Sequence, residues 1–419
     1  MEPTSVVITG LGCVTPLGPD VASTWAALKS GRSAIGPITR FDARTYPCTF
    51  AAEIRDFEPP KLVGRFGRWC DDKSMYAIRA AEEAMADAGL APGAGDPDRF
   101  GVSCGAEVSR PAVATVAERM QLIAADGPER AYRATDPKEF AVMSAFFPAT
   151  ALAAVFEARG PNLTTSTACT SSAQSIADAL RILRRGDAEV MLAGGTDRLV
   201  EELMVMGFGL LGALSTRNDD PSAACRPFDR TRDGFVLGEG AGFVVLETKA
   251  HAERRGARIR AELRGYGCSA NAWRITDSPP DGRGARTAMV EALRDARLEV
   301  GDIDYINAHG TSTQQNDASE TAGIKGAFGE RAYEIPVSST KSMMGHLVAA
   351  CAAVELIACV KAIEDNVIPP TINYEHPDPD CDLDYVPNVA RAAKVDVAMS
   401  NAFGFGGSNG TLIVSRPRR

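Results

Sequence analysis

The sequence predicts an α/β fold with buried sheets, built from two related halves. Three observations lead there. Short β-rich apolar runs alternate with helical patterns along the whole 419 residues. Two stretches echo one another: Ser166-Thr167 leads through a polar turn into a small-residue helix around Ile176, Ala179 and Leu183, and Ser339-Thr340 leads into another around Leu347, Ala350, Val354 and Ile357. No linker rich in Pro, Gly or Ser separates the echoes, so halves of 1–250 and 251–419 are expected to share one interface.

Taken in order, Val6-Val7-Ile8-Thr9 reads as a strand before a Gly-rich turn. Met75, Ile78, Ala81 and Met85 keep helical spacing, and Gly89 supplies a stop. Phe100 to Cys104 is a second buried strand, followed over 106–148 by an excursion from the core sheet. Asn162 to Thr165 reads as a strand and Ser171 onward as a helix. Val190 to Ala193, Phe243 to Leu246, Ile303 to Ile306 and Thr411 to Val414 are further strands, with Met289, Ala292, Leu293 and Ala296 on a helix among them.

Composition narrows the function classes. Hydrophobic content of 45% and charged content of 24% are ordinary for a soluble globular protein. A net charge of −9 disfavours nucleic acid and anionic lipid as partners. No apolar run is long enough to span a bilayer, and the N-terminus shows no secretory pattern, so a cytoplasmic location is expected. The ten cysteines have no C-x-x-C spacing, which predicts reduced, mostly buried thiols and no zinc site. Two basic segments stand out against the acidic whole: Lys61, Arg65, Arg68 and Lys73, then Arg254, Arg255, Arg258, Arg260 and Arg264. Each is either a solvated face or a dock for an acidic protein.

The chemistry concentrates in three segments. Cys169, in Ser166-Thr167-Ala168-Cys169-Thr170-Ser171-Ser172, lies at a strand-to-helix turn. A helix N-terminus favours a thiolate and offers N–H groups to an oxyanion. His309 sits in a strand-end loop, and His346 follows Gly345 at the head of an apolar helix, where an imidazole stays neutral and can donate a hydrogen bond. Lys341 lies in a segment otherwise empty of charge, and Glu320 is a plausible partner for it. The turn Asn401 to Gly410 places Phe403 and Phe405 among glycines, as aromatic guards of an apolar site. Neither a phosphate loop nor a supported dinucleotide fingerprint is present.

These segments together resemble the β-ketoacyl-acyl-carrier-protein synthases, specifically the elongating type II condensing enzymes. The similarity runs over nearly the whole chain and includes Leu214-Ser215-Thr216-Arg217-Asn218 and Arg232 to Gly240. It implies the thiolase fold, a five-layered αβαβα core, usually as a homodimer, with a heterodimer as the alternative. It implies that Cys169 accepts an acyl chain from an acyl carrier protein, and that His309 and His346 donate to the thioester carbonyl of malonyl-carrier protein. The Cys169 and Phe403 N–H groups would form the oxyanion hole. Lys341, paired with Glu320, would organise the site, and Phe403 would gate it. Thr276, Thr311 and Thr313 would contact the malonyl or pantetheine arm, and Val108 the acyl pocket. Arg65, Arg68 and Lys73 would dock the carrier protein. No resident cofactor or metal is implied, since phosphopantetheine arrives on the carrier protein.

Some positions depart from the pattern. The segment 107–147 matches poorly, and Glu107 and Arg110 are unexpected beside a pocket for a plain fatty chain. Decarboxylative condensation in fatty-acid elongation is the reading favoured, with the same reaction in a polyketide or polyene pathway as the alternative. A thiolase would need a second cysteine in the C-terminal Gly-rich turn, which has none. A chain-length factor would lack the cysteine nucleophile. An initiating ketosynthase would carry Cys, His and Asn.

Overall fold

The first strand, β1 (Val6–Val14), is buried at all nine positions. A strand with no solvated face must be covered on both sides, and the rest of the fold supplies the covers. The structure, a computed structural model, describes residues 4–62 and 67–418. The other core strands are β2 (Phe100–Ala106), β3 (Asn162–Thr165), β4 (Val190–Arg198), β5 (Glu239–Thr248), β6 (Ala261–Ala270), β7 (Tyr305–Asn307), β8 (Val337–Ser338), β9 (Val397–Phe403) and β10 (Ser408–Ser415). Their spatial order is β8-β7-β9-β10-β6-β1-β5-β4-β2-β3.

That order divides into two copies of one pattern. In β1-β5-β4-β2-β3 the successive pairings run antiparallel, antiparallel, parallel, parallel. In β6-β10-β9-β7-β8 they run the same way. The halves join where Val6–Ile8 pairs with Ala261–Leu263.

Among the helices are α1 (Asp72–Asp87), α2 (Val113–Asp126), α3 (Ser171–Arg185), α4 (Glu202–Leu210), α5 (Arg283–Ala296), α6 (Gln314–Phe328) and α7 (Cys351–Asp365). α3 follows β3 and α7 follows β8, so they occupy equivalent places. Both bury their apolar faces in one cluster between the sheets, with Ile176, Leu180, Leu183, Val354, Leu356 and Ile357 at its centre. α1 covers the outer face of the first half through Ala77, Ala80, Ala81 and Ala84 against Leu192, Phe243 and Val245. α5 and α6 cover the second through Met289, Ala292, Ile324 and Phe328 against Ile306, Met399 and Ile413. Helix, sheet, helix pair, sheet, helix is the five-layered order.

The excursion over 106–148 contains α2 and two short helices, and α2 buries none of its residues. β3 ends the sheet and is only half covered. Among the described residues no helix is long and apolar enough to cross a membrane.

Both halves use one device to bring helix onto strand. A Cβ at Gly12 would lie 1.9 Å from the Ala80 carbonyl oxygen, and one at Gly267 would lie 2.0 Å from that of Ala288. The close helix–strand approach therefore depends on a missing side chain at each place. Gly12→Ala and Gly267→Ala should each destabilise the protein by about 3 kcal/mol or more, because backbone rather than a flexible side chain must move. Urea titrations with parental midpoints would contradict this.

Candidate active site

Cys169 lies in a 3₁₀ turn (Ala168–Thr170) between the end of β3 and the start of α3. The turn is sharp: Ala168, just before the nucleophile candidate, has φ of +53°. Ser171 Oγ accepts the Thr167 N–H at 2.8 Å, and the Cys351 thiol faces the Cys169 carbonyl at 3.3 Å. The head of α7 is tied to the head of α3 by the Ala353 N–H donating to Ser172 Oγ at 3.1 Å.

His346 occupies the matching turn of the second half, between β8 and α7, just before the 3₁₀ turn Val348–Ala350. The Val348 N–H donates to His346 Nδ1 at 3.2 Å. Nδ1 is therefore the acceptor and Nε2 carries the proton. Nε2 lies 3.0 Å from Cys169 Sγ. His346 thus presents a donor to the sulfur, not a base. Burial, with help from Lys341, holds its pKa well below the usual imidazole value, so the ring is neutral.

His309 follows β7 and is equally buried. Burial first, then Lys341 and His346, hold its pKa well below the usual value. Its ring centre is 5.3 Å from that of His346 and 5.7 Å from that of Phe403. Its Nδ1 is buried and has no partner among the described residues. Two neutral imidazoles therefore flank one sulfur. The ligating atoms of Cys169, His309 and His346 all lie within 4.8 Å of one another. A soft cation could span such a spacing, but His346 offers Nε2–H rather than a lone pair.

One pairing departs from expectation. Lys341 Nζ pairs with Glu355 on α7, not with Glu320, and both ends of the pair are fully buried. Burial lowers the Lys341 pKa, but Glu355 outweighs it and keeps the ammonium charged. Glu320 instead accepts the N–H groups of His309 at 2.9 Å and Gly310 at 2.8 Å, and an Asn401 amide N–H at 3.2 Å. It organises the His309 turn. Glu355 had a signal in the sequence: it is the single acid in the apolar run from Cys351 to Val360.

The thiol also departs from expectation. Burial pushes Cys169 up to about 12, while Lys341 and the N–H groups of Phe405 and of Cys169 itself pull the other way. The desolvation of a sulfur in the cavity wall, shielded by the surrounding protein, outweighs the helix N-terminus. The N–H that reaches the sulfur from the Gly-rich turn belongs to Phe405, not to Phe403.

One cavity is lined by Cys169, His309, His346, Thr276, Thr311, Thr313, Phe403 and Phe405. Thr311 and Thr313 hydroxyls are 3.0 Å apart at its polar side. Val108 does not line it. It is 42% exposed, just beyond β2.

Lys73 is no docking residue: it is buried in α1 and its ammonium donates to the Glu107 carbonyl at 2.7 Å. Arg65 lies outside the described residues, as does the side chain of Arg68. Most of the second basic segment is internally neutralised: Arg254 pairs with Glu189, Arg255 with Glu247, Arg258 with Glu364, and Arg260 with Asp87 and Glu364.

Two outcomes follow from this electrostatics. Alkylation of Cys169 by iodoacetamide should quicken about tenfold per pH unit from pH 7 to 8.5, because the thiolate fraction rises with pH below the thiol pKa. A plateau within that range would place the thiol in the ordinary range or below. Glu355→Ala strands a buried ammonium and should cost about 3–5 kcal/mol of stability. Unfolding at the parental denaturant midpoint would show that Lys341 is neutral or finds another partner.

Comparison with known proteins agrees with the geometry. The family model described as beta-ketoacyl synthase, N-terminal domain, matches residues 4–252, and the one described as beta-ketoacyl synthase, C-terminal domain, matches 260–375. The chain is 44% identical over 417 residues to 3-oxoacyl-[acyl-carrier-protein] synthase 2 of Coxiella burnetii, covering 99% of each. It is 43% identical to the tetracenomycin polyketide synthase ketoacyl synthase alpha subunit of Streptomyces glaucescens, covering 99% of this chain and 97% of that one. A solved complex of a type II polyketide acyl-carrier protein with its hexaketide-bound ketosynthase superposes with a TM-score of 0.88 at 34% identity, covering 100% of both chains. With both halves of the family matched in order and nearly the full length aligned, this chain belongs to the β-ketoacyl synthases.

Proposed function

We infer that this chain is an acyltransferase that elongates acyl chains by decarboxylative Claisen condensation on carrier-protein thioesters. The observation that supports it most is the placing of one thiol and two neutral imidazoles around one cavity. In the first step the Cys169 sulfur attacks the acyl thioester. A new thioester forms on Cys169, the carrier's sulfur leaves, and the thiol proton ends on that sulfur. The N–H groups of Cys169 and Phe405 face the sulfur and would hold the tetrahedral oxyanion.

In the second step malonyl-carrier protein enters. His346 Nε2–H and an N–H of His309 donate to its thioester carbonyl. The bond to the carboxylate breaks, CO2 leaves, and the electron pair becomes an enolate under both donors. The enolate carbon attacks the Cys169 thioester and gives β-ketoacyl-carrier protein. The Cys169 thiolate is released and regains a proton from solvent. Neutral imidazoles suit this role, because a donor that never ionises stabilises the enolate oxygen across a broad pH range.

Thr276, Thr311 and Thr313 would meet the pantetheine arm, and Phe403, packed on His309, would gate its entry. No cofactor is needed beyond the arm that the carrier protein brings. Arg65 and Arg68 remain the proposed dock for that acidic partner. The cytoplasm is the proposed compartment, where ten free cysteines stay reduced.

Fatty-acid elongation is the favoured pathway, by the likeness to 3-oxoacyl-[acyl-carrier-protein] synthase 2. A polyketide or polyene pathway is the second reading, favoured by the likeness to the tetracenomycin ketoacyl synthase alpha subunit and by the unusual segment 107–147. A second copy of this chain is the proposed partner at the β3 edge. The edge strand is half exposed, and Val113, Val116, Met120 and Ile123 of α2 present an uncovered apolar surface. A heterodimer with a chain-length factor is the alternative.

Cys169→Ala should abolish acyl transfer yet retain CO2 release from malonyl-carrier protein. His346→Ala should slow CO2 release by about 10²-fold or more. A His346→Ala enzyme that elongates at the parental rate would overturn the assignment. Sedimentation of the parent at twice the chain mass is expected. A sedimenting monomer would remove the homodimer.

A further inference from the structure

Three catalytic turns converge on the cavity, and each has a buried or half-buried carboxylate behind it. Glu320 accepts the His309 and Gly310 N–H groups. Asp197 accepts the Ala349 N–H at 3.1 Å, one residue beyond the N–H that sets the His346 tautomer. Glu107 serves the third turn. Its Oε1 accepts the Ala168 N–H at 3.0 Å, and its Oε2 accepts the Ser166 hydroxyl at 3.0 Å. Ala168 is the left-handed residue immediately before Cys169, so the bond grips the turn where its backbone is strained.

The position of Glu107 follows from the internal duplication. β2 and β7 are equivalent parallel strands, and each feeds a loop at the same end of its sheet. In the second half that loop delivers His309, and in the first half it delivers Glu107. The lysine misread as a docking residue holds Glu107 from below: Lys73, 1% exposed, donates to its main-chain carbonyl at 2.7 Å. Thr196 in turn donates to the Lys73 carbonyl at 2.6 Å. Both charges stood out in the sequence as departures or as a surface patch, and together they form one support beneath the nucleophile.

We propose that Glu107 is a positioning residue for acyl transfer: by holding the Ala168 N–H it sets the direction of the Cys169 thiol, and it takes no part in decarboxylation at the two histidines. The proposal deepens the functional reading above and rests on it. Because acylation needs the Cys169 sulfur and CO2 release does not, the two half-reactions separate a positioning role from general damage.

The test measures acylation of Cys169 by an acyl-carrier protein in a single turnover, read by intact mass. It measures CO2 release from malonyl-carrier protein separately. Glu107→Ala should slow acylation by ~10-fold or more while CO2 release stays within about twofold, since a small misplacement of a nucleophile is costly. Glu107→Gln should restore acylation to within about threefold, because the amide oxygen accepts the same N–H. Should the alanine variant fail to fold, Glu107→Asp decides: it withdraws the carboxylate by one methylene, about 1.5 Å, and should slow acylation alone. Acylation at the parental rate in the Ala or Asp variant overturns the proposal. So does an equal loss of both half-reactions, or a Gln variant as slow as Ala. Acylation of the parent enzyme is the separate check on the functional reading, and the ratios between variants bear on Glu107 alone.

Discussion

The active site depends on one backbone hydrogen bond, from the Val348 N–H to His346 Nδ1. It decides which nitrogen of the imidazole carries the proton, and so whether the ring facing Cys169 is a donor or a base. A base at that place would activate the thiol and then be spent. A fixed donor can serve the sulfur in one half-reaction and an enolate oxygen in the next. Val348 holds a left-handed backbone, with φ of +46°, and the Ala349 N–H on Asp197 helps keep it there. The surrounding fold thus stabilises a strained turn for the sake of one proton's location.

The duplication explains how the turns meet. β3 and β8 are equivalent edge strands, and the helices that follow them pack side by side between the sheets. Small residues let those helices approach closely, and the Ala353–Ser172 bond ties their heads together. Cys169 and His346 therefore lie on equivalent turns of the two halves, Cys169 within its 3₁₀ turn and His346 two residues before its own, and they meet across the interface. His309 arrives from a neighbouring strand of the second half, at the end where parallel strands deliver their loops.

Charge is buried here at unusual density for an apolar core. The Lys341–Glu355 pair lies beneath both imidazoles, and its ammonium helps keep them neutral. Glu320 and Asp197 are both raised to about 7 by burial, yet each receives backbone N–H groups that repay part of that desolvation. These groups orient the parts that react. The groups proposed to do the chemistry, a thiol and two imidazoles, are uncharged at rest.

Much was legible in the chain itself. Periodicity located β1, β2, β4, β5 and the outer helices α1 and α5, and the Ser-Thr echo pointed to two related halves. β6 and β8 were missed, and physically they had to be. β6 is interrupted by Glu262, Arg264, Gly265 and Gly267, whose partners are remote in sequence. β8 has only two residues, Val337 and Ser338, too few for any alternation to show. Residue types at turns singled out Cys169, His309 and His346, which the structure brings together, since a strand-to-helix turn declares itself locally. Only the tertiary structure decided that Lys341 answers to Glu355, that Lys73 is interior, that Phe405 supplies the N–H at the sulfur, and that the thiol rests protonated. Each of those depends on burial and on contacts between distant segments, which no local pattern encodes.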